Sequence, residues 1–393
     1  MTAPRSKADV LISADSHVGE TVELRDRLPA EFRDLMSLIV PSPDGDLTTY
    51  MGDKIVEKPS CVPRGADREL EFRDDPSLGT DLDRRLRDMA REGVDAQVVF
   101  PNVALDCGGG TAPLEYNQTF ARAYNDYVFE IFSPESKRFK PAAMLCVDDI
   151  DEAVKESRRC IDRGFATIFL PCAVPWQPYW RDVYEPLWSL LEEARIPLSF
   201  HVFAGNLAFG GEYADLGDLS DERLASAQKH RAEWRGKDFE QYETVVGMAA
   251  GMNPIVELTG SGVLERHPDL RFVVTESECG WLAWTLQAMD QMQKRRHLYR
   301  EKLPLRASDY FRRQGYVTIT DDAVALRALE PGDARRLLWG NDYPHDEGTW
   351  PNSQPQLESI RKALPPEDAS MVLSGNAAEL YGFDLEYLAA HPL

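Results

Sequence analysis

The sequence has few cysteines and lacks long apolar runs. Its six cysteines include no Cys-x-x-Cys pair, the spacing that structural zinc sites and thioredoxin-like redox sites use. We therefore expect reduced, buried thiols and a cytoplasmic location. No run approaches the roughly 18 apolar residues that a membrane span requires, and Met1 to Ala8 contain no apolar segment typical of a secretory signal. The sequence thus predicts a soluble protein that has no membrane partner.

Basic residues are also in short supply. The chain has 44 lysines and arginines against 66 aspartates and glutamates, which gives a formal net charge of −22. Such a surface repels phosphate backbones and anionic lipid headgroups. We therefore expect a small-molecule substrate and no nucleic-acid partner.

A glycine-rich phosphate loop is missing as well. The turn after the first apolar run reads Asp15-Ser16-His17-Val18-Gly19-Glu20, without the G-x-G-x-x-G pattern of a doubly wound dinucleotide-binding fold. Eight apolar, β-rich runs instead alternate with helical patterns, which predicts a (β/α)8 TIM-type barrel. The expected strands are Val10–Ala14, Ala96–Pro101, Phe139–Val147, Ala166–Pro171, Leu198–Phe203, Arg271–Thr275, Tyr316–Thr320 and Arg336–Trp339.

Two long stretches exceed what a minimal barrel needs. They follow strands 1 and 5, at about residues 21–78 and 204–268, so we expect one domain, residues 1–393, with two insertions over the C-terminal face of the barrel. Within the first stretch, Thr48 to Val56 predicts a hairpin that turns at Gly52-Asp53. Within the second, a charged helix is predicted from Ser220 to Phe239.

An aromatic group follows strand 4 and has two interpretations. It is either core packing or the wall of an apolar substrate pocket, and packing is the more common role of such groups. The pocket interpretation predicts a bulky, apolar substrate. The group comprises Trp176, Tyr179, Trp180, Tyr184 and Trp188.

Side chains that can bind a metal stand at four of the predicted strand ends. Because the carboxyl ends of barrel strands meet at one mouth, we expect these side chains to converge there. They are Asp15 and His17 after strand 1, His201 on strand 5, Glu276 and Glu278 after strand 6, and Asp342 after strand 8.

Each of these residues taken singly has an ordinary explanation. His201 is explained as a hydrogen-bonded core histidine, Asp15 as a cap, and Asp342 as part of an Asx-turn. Jointly these explanations fail, because burying several uncompensated carboxylates costs on the order of several kcal/mol each. No lysine or arginine stands next to them in the sequence. The cluster therefore predicts a metal site of histidine and carboxylate ligands.

The remaining histidines receive different interpretations. His345 follows Asp342 by three residues, so it is a candidate metal ligand, acid/base group or partner of a ligand. Solvated or capping roles are expected for the others. These are His230 and His297 on charged helices, His267 in a surface turn before Pro268, and His391 near the C-terminus.

Four motifs together resemble the amidohydrolase-related family, on the branch that includes aminocarboxymuconate-semialdehyde decarboxylase. The resemblance runs from residue 11 to the Gly375-Asn376-Ala377 turn. The motifs are Asp15-Ser16-His17-Val18-x-Glu20, Ser199-Phe200-His201, Thr275-Glu276-Ser277 followed by Gly280-Trp281, and Trp339-Gly340-Asn341-Asp342-Tyr343-Pro344-His345 followed by Gly348-Thr349-Trp350-Pro351.

This resemblance implies a (β/α)8 barrel and a metal held by Asp15, His17, His201 and Asp342. The chain departs from the family pattern in three places. Many members have His-x-His where this chain has Asp15-x-His17, and the decarboxylase branch has a histidine after strand 6 where this chain has Glu276. Strand 4 also lacks the lysine that bridges two metals in some hydrolases.

The resulting ligand set is rich in carboxylates. Asp15, Glu276 and Asp342, with Glu20 and Glu278 as further candidates, stand beside His17, His201 and His345. Oxygen ligands mixed with imidazole suit iron or manganese at least as well as zinc. Since Glu276 has the right type of side chain to bridge two metals, one or two divalent ions are expected.

Four functions follow from these observations. The first is metal-dependent hydrolysis of a small, apolar carbonyl substrate, in which Asp342 accepts the proton of the attacking water and His345 and Glu276 assist. The second is a non-haem di-iron monooxygenase acting on an acyl thioester, which a few members that resemble this branch suggest. The third is a metal-dependent decarboxylase, weakened by Glu276, and the fourth is a non-enzymatic binding protein. A homo-oligomer, most simply a dimer, is expected.

Overall fold

The structure of the protein is a computed structural model, and it describes most of the chain. The described residues are 5–41, 47–51, 54–57, 77–102, 112–174, 177–202, 245, 247–296, 303–328, 330, 332–345 and 348–393. Among the helices in these residues, none combines the length and the apolar character that crossing a membrane requires.

Eight parallel strands form a nearly closed barrel, which confirms the predicted fold class. Neighbours along the chain pair with one another in order around the sheet, and each strand overlaps one of the eight predicted runs. The strands are largely buried because side chains fill the interior and helices cover the outside. They are β1 (Ile12–Ser13, resumed at His17–Val18), β2 (Ala96–Pro101), β3 (Phe139–Met144), β4 (Thr167–Pro171), β5 (Leu198–His201), β6 (Phe272–Thr275), β7 (Gly315–Ile319) and β8 (Leu337–Trp339).

The barrel closes where β1 meets β8. The Ala14 N–H donates to the Trp339 carbonyl at 2.8 Å, and Ser16 forms a parallel bridge with Tyr343. Between its two halves β1 leaves the regular ladder, and the Ser16 hydroxyl donates to the Val98 carbonyl at 2.6 Å across this break. The break places Asp15 at the carboxyl edge of the barrel.

The helices begin and end at residues typical of helix caps. Asp81 accepts the Arg84 N–H at 3.0 Å and Asp149 accepts the Glu152 N–H at 3.2 Å, while Gly93 and Gly164 end the same two helices in left-handed conformation. The helices are α1 (Val22–Arg27), α2 (Leu82–Glu92), α3 (Leu114–Phe132), α4 (Ile150–Arg163), α5 (Glu185–Ala194), α6 (Met252–Gly260), α7 (Val263–Arg266), α8 (Leu282–Arg296), α9 (Ala307–Gln314), α10 (Ala323–Ala328), α11 (Gln354–Ala363), α12 (Pro366–Ser370), α13 (Asn376–Tyr381) and α14 (Leu385–Ala390).

The first long stretch contains a small antiparallel sheet. Its strands are Ser37–Pro41, Leu47–Met51 and Lys54–Glu57, with the second strand pairing to both others. The two strands of the predicted hairpin are therefore confirmed, whereas the first strand of the sheet was not predicted. The proposed turn, Gly52-Asp53, lies outside the described residues.

The described part of the second long stretch is helical. Helix α6 packs against α9 and α8, so residues 252–260 belong to the ring of helices around the barrel. The charged helix predicted from Ser220 to Phe239 lies outside the described residues.

The aromatic group after β4 is core packing for the three members that are buried. Tyr179 packs against Tyr184, Trp188 and Phe200, with centroid distances of 5.0 to 6.1 Å. Its hydroxyl donates to the Pro171 carbonyl at 2.6 Å. Trp180 is 49% exposed, and Trp176 lies outside the described residues.

A carboxylate on α6 fastens this aromatic segment to the helix ring. The Tyr179 N–H donates to Oε2 of Glu257 at 2.6 Å. Burial raises the pKa of Glu257 from 4.5 to about 7, although backbone hydrogen bonds from Tyr179 and Trp180 oppose the rise. Because the raised pKa belongs to the folded state, the stability that Glu257 contributes is full below pH 4.5 and is lost as the pH rises through about 7.

We predict that Glu257→Gln removes this pH dependence, because glutamine keeps an oxygen acceptor for Tyr179 and does not ionise. Relative to the unchanged protein, the variant should gain about 1–3 kcal/mol of unfolding free energy between pH 5 and pH 8. Urea unfolding of both proteins at the two pH values measures the difference, in which all other titrations cancel. An identical difference at pH 5 and pH 8 would contradict the assignment.

Candidate metal centre

The break in β1 presents Asp15 and His17 to the mouth of the barrel. Both side chains are fully buried. The Nδ1–H of His17 donates to the Pro101 carbonyl at 2.7 Å, so Nε2 carries the lone pair that faces the mouth. Burial lowers the pKa of His17, with the neighbouring His345 adding to this effect. A neutral imidazole in this orientation has the form that binds metal.

His201 at the end of β5 is oriented in the same way. Its Nδ1–H donates to the Val202 carbonyl at 2.9 Å, and its Nε2 lies 3.6 Å from Oδ1 of Asp15. The register of β5 and β6 pairs His201 with Thr275. This pairing places the histidine beside the residue that precedes Glu276.

Glu276 connects the two histidines. Its Oε2 lies 3.3 Å from Nε2 of His17 and 3.2 Å from Nε2 of His201. Its backbone has a left-handed φ of 57°, and its N–H donates to the Thr318 hydroxyl on β7 at 2.8 Å. Left-handed backbone is uncommon for a residue other than glycine and concentrates at functional sites.

Asp342 and His345 complete the cluster from the loop after β8. Oδ1 of Asp342 lies 3.2 Å from Nε2 of His17 and 3.1 Å from Nδ1 of His345. Burial alone would raise the pKa of Asp342, but His345 and His17 hold it well below its ordinary value. Asp342 also has a left-handed φ, of 55°. The imidazole of His345 stacks on that of His17, with the ring centroids 3.9 Å apart.

The structure thus brings all six predicted site residues together. Their ligand atoms form two overlapping groups of four. Within each group all four atoms lie within 4.8 Å of one another, and both groups include His17 and Glu276. Asp15 and His201 complete one group, and Asp342 and His345 complete the other.

Several of these atoms have the chemistry of metal ligands. Within the described part of the chain, both carboxylate oxygens of Asp15 and the Nε2 atoms of His17 and His201 are buried without a hydrogen bond, and the groups that face them are other candidate ligands. Buried polar atoms normally have partners, and a cluster of lone pairs and carboxylate oxygens is repulsive without a cation. The residues therefore fit a divalent metal ion.

Two further carboxylates considered from the sequence lie outside both groups. Oε1 of Glu20 accepts the Asn102 N–H at 2.9 Å. The carboxylate of Glu278 accepts the N–H groups of Thr320 at 3.1 Å and Asp321 at 2.9 Å, and burial raises its pKa to about 7. Glu20 therefore binds the backbone just after β2, and Glu278 binds the backbone just after β7.

Arg85 supports the centre and was not identified from the sequence. Its guanidinium is fully buried and donates to the His17 carbonyl at 2.7 Å and to the Ser16 hydroxyl at 2.8 Å. It also lies 4.8 Å from the ring centroid of Tyr343, the residue after Asp342. Because Arg85 lies in an ordinary amphipathic pattern over Leu82–Glu92, periodicity places it on a helix but does not indicate this role.

Gly340 permits the close approach of β8 to Asp15. A Cβ at this position would lie 2.6 Å from the Cβ of Asp15. Gly340 belongs to the motif Trp339–His345, but only the structure shows that the residue it accommodates is Asp15.

The other histidines lie away from the centre where they are described. The expected surface turn follows His267 at Pro268 and Asp269, but a solvated side chain was a wrong expectation. The His267 side chain is buried between Glu192, 2.9 Å from its Nδ1, and Glu185, 2.9 Å from its Nε2. His391 is exposed and its Nδ1–H donates to the Tyr387 carbonyl at 2.8 Å, which agrees with a capping role. His230 and His297 lie outside the described residues.

We predict that Mn²⁺ raises the melting temperature of chelator-treated protein, because the ion offsets the mutual repulsion of Asp15, Glu276 and Asp342. At a free concentration one hundred times Kd the expected gain is about 2.7 kcal/mol. Asp15→Asn should abolish most of this gain, whereas Asp162→Asn on an exposed position of α4 should keep it. Scanning calorimetry with and without Mn²⁺ measures the shift, and an equal shift in both variants would show that the ion binds elsewhere.

Comparison with solved structures finds the same fold in several other proteins. An amidohydrolase from Mycobacterium avium subsp. paratuberculosis has a TM-score of 0.70 at 19% identity, covering 98% of this chain and 100% of that one. The 5-carboxyvanillate decarboxylase from Sphingomonas paucimobilis has a TM-score of 0.64 at 19% identity, covering 95% and 99%. A dihydroxybenzoic acid decarboxylase from Polaromonas, solved with bound manganese, has a TM-score of 0.59 at 18% identity, covering 95% and 97%.

Sequence comparison gives the family assignment. No curated protein matches the chain significantly. The model of the amidohydrolase family matches residues 17–383, which include five of the six clustered residues and nearly the whole barrel. The chain therefore belongs to the amidohydrolase family, and its buried cluster of histidines and carboxylates is the metal site of this enzyme.

Proposed function

We propose that this enzyme decarboxylates a small aromatic or conjugated carboxylic acid with the help of a divalent metal ion. The observation that carries the proposal is the position of His345. Its imidazole stacks on His17 and lies against Asp342, at the edge of the group formed by Asp15, His17, His201 and Glu276. His345 thus supplies the imidazole that strand 6 lacks in this chain.

In this proposal the metal is held by Asp15, His17, His201 and Glu276, with Asp342 next to it. When bound, the ion supplies Lewis acidity, which neutralises and orients the carboxylate of the substrate. The two histidines present Nε2 because backbone carbonyls occupy their Nδ1–H groups. Oε2 of Glu276 lies within 3.3 Å of the Nε2 atoms of both His17 and His201, and Glu276 belongs to both groups of ligand atoms.

His345 is the proton donor in this scheme. As an imidazolium it donates from Nε2 to Asn102 and from Nδ1 toward Asp342, 3.1 Å away. The proton on Nδ1 forms the new C–H bond at the carbon that bears the carboxylate. The bond from this carbon to the carboxylate then breaks, carbon dioxide leaves, and the electron pair of that bond restores the conjugated system. His345 regains its proton from solvent, which its side-chain exposure of 15% permits.

Two of the three structures compared above carry decarboxylase names, for substrates that are substituted benzoic acids. They support a search among hydroxylated benzoic acids first. Manganese in one of them supports testing this metal before zinc.

Hydrolysis of a small carbonyl substrate is the second candidate. The position of Asp342 favours it, because its carboxylate lies 3.2 Å from Nε2 of His17 and 3.1 Å from Nδ1 of His345, beside the proposed metal ligands, where it could accept the proton of an attacking water and pass it to a leaving group. The di-iron monooxygenase, the homodimer and the cytoplasmic location stay predictions from the sequence.

We predict that the manganese-loaded protein releases carbon dioxide from a hydroxylated benzoic acid and, in heavy water, places one deuterium on the vacated carbon. His345→Gln should lower kcat about 10²- to 10⁴-fold, the usual contribution of general acid catalysis, while the metal content stays unchanged. Asn352→Leu, an exposed change in the loop after β8, serves as the control.

Other products would redirect the assignment. Hydrolysis of an ester or amide panel without carbon dioxide release would favour the second candidate. Purification with two irons and oxygen consumption on an acyl thioester would favour the monooxygenase. Loss of metal in His345→Gln would make His345 a ligand instead of the proton donor.

A further inference from the structure

Two consecutive residues at the end of β2 each hold one of the stacked histidines. The carbonyl of Pro101 accepts the Nδ1–H of His17 at 2.7 Å. The side chain of the next residue, Asn102, places Oδ1 2.8 Å from Nε2 of His345. The imidazoles that these residues contact lie 3.9 Å apart, with an interplanar angle of 24°. The end of β2 therefore supports both rings of the stack.

Asn102 is itself held at its backbone. Its N–H donates to Oε1 of Glu20 at 2.9 Å, and Glu20 is 2% exposed. This bond uses only the backbone N–H of Asn102, so the side-chain amide is available to contact His345, which is 243 residues away in the sequence. Glu20, a candidate ligand in the sequence, is thus connected to His345 by hydrogen bonds through Asn102.

The contact decides which atom of His345 faces the centre. An amide oxygen accepts a hydrogen from Nε2, so Nε2 is occupied whenever this hydrogen bond exists. The opposite ring nitrogen, Nδ1, then points at Oδ1 of Asp342, 3.1 Å away. Rotating the ring would break the contact with Asn102 and would turn a carbon atom toward Asp342.

We propose that Asn102 is a positioning residue that orients the His345 imidazole, with Nε2–H on Oδ1 of Asn102 and Nδ1 toward Asp342 at the metal centre. The inference rests on the proposed role of His345 as proton donor. Within the described residues, the hydrogen bond of the Asn102 side chain goes to His345 and to none of the four proposed metal ligands, and Asn102 takes no part in the bond changes of this scheme. Its loss should therefore reduce proton delivery while leaving metal binding intact.

Three variants separate orientation from simple structural damage. Asn102→Leu keeps a similar side-chain volume and lacks the oxygen acceptor. Asn102→Ala also lacks the acceptor and adds no bulk, so it replaces the leucine variant if that variant does not fold. Asn102→Asp keeps an oxygen acceptor at the same distance from the backbone. Asn352→Leu is the matched control, because it makes the same change at an exposed asparagine.

The first readout is independent of any substrate. In zinc-loaded protein with ¹⁵N-labelled histidine, long-range ¹H–¹⁵N spectra report which ring nitrogens carry hydrogen, and His345→Gln identifies the His345 signals. We expect a protonated Nε2 in the unchanged protein, in Asn102→Asp and in Asn352→Leu, and a changed pattern in Asn102→Leu or Asn102→Ala. A bare Nε2 in the unchanged protein, or identical His345 signals in all variants, would overturn the proposal.

The second readout divides binding from catalysis. With a substrate of the proposed reaction, Asn102→Leu should lower kcat at least tenfold with KM within threefold, and Asn102→Asp should restore kcat to within threefold of the unchanged enzyme. Equal loss in the aspartate variant would refute an orienting role. If the unchanged protein turns over no carboxylic acid, the proposed function fails, and the spectra still decide the orientation of His345.

Discussion

The structure depends on the crowding of carboxylates around one nitrogen atom of the metal centre. Nε2 of His17 has an oxygen atom from each of three carboxylates within 3.6 Å, those of Asp15, Glu276 and Asp342. Packing a lone pair and three acidic groups together in a buried place is unfavourable in the absence of a cation. The arrangement is explained by a divalent ion, and the surrounding features all serve to hold the same atoms in place.

The barrel provides the rigidity that this arrangement needs. Glu276 and Asp342 both adopt left-handed backbone, a conformation that costs on the order of 1 kcal/mol or more for such residues. Each follows directly or closely on a buried strand, and strand pairing fixes where the chain emerges. Gly340 lets β8 approach Asp15, and Arg85 links the His17 carbonyl on β1 to the ring of Tyr343. The stability of the sheet thus offsets the local strain at its carboxyl edge.

The three imidazoles of the cluster have two kinds of surroundings. His17 and His201 are fully buried and donate to backbone carbonyls, which suits permanent metal ligands. His345 reaches solvent at one edge and is held by a side chain, which suits a group that exchanges protons. The difference agrees with the proposed roles, which are metal binding for His17 and His201 and proton donation for His345.

Much of this molecule follows from the sequence by itself. Apolar runs of strand length alternating with helical patterns are sufficient to identify eight strands, because both faces of each parallel strand are covered and its residues must be apolar. The rule that strand ends meet at one mouth then brings Asp15, His17, His201, Glu276, Asp342 and His345 into one cluster. Only the tertiary structure places Glu20 and Glu278 outside the two groups of ligand atoms, buries His267 between two carboxylates, and shows the contacts of Arg85 with His17 and of Asn102 with His345. These roles depend on contacts between residues far apart in the chain, and local periodicity carries no information about which distant side chain a hydrogen-bonding group will meet.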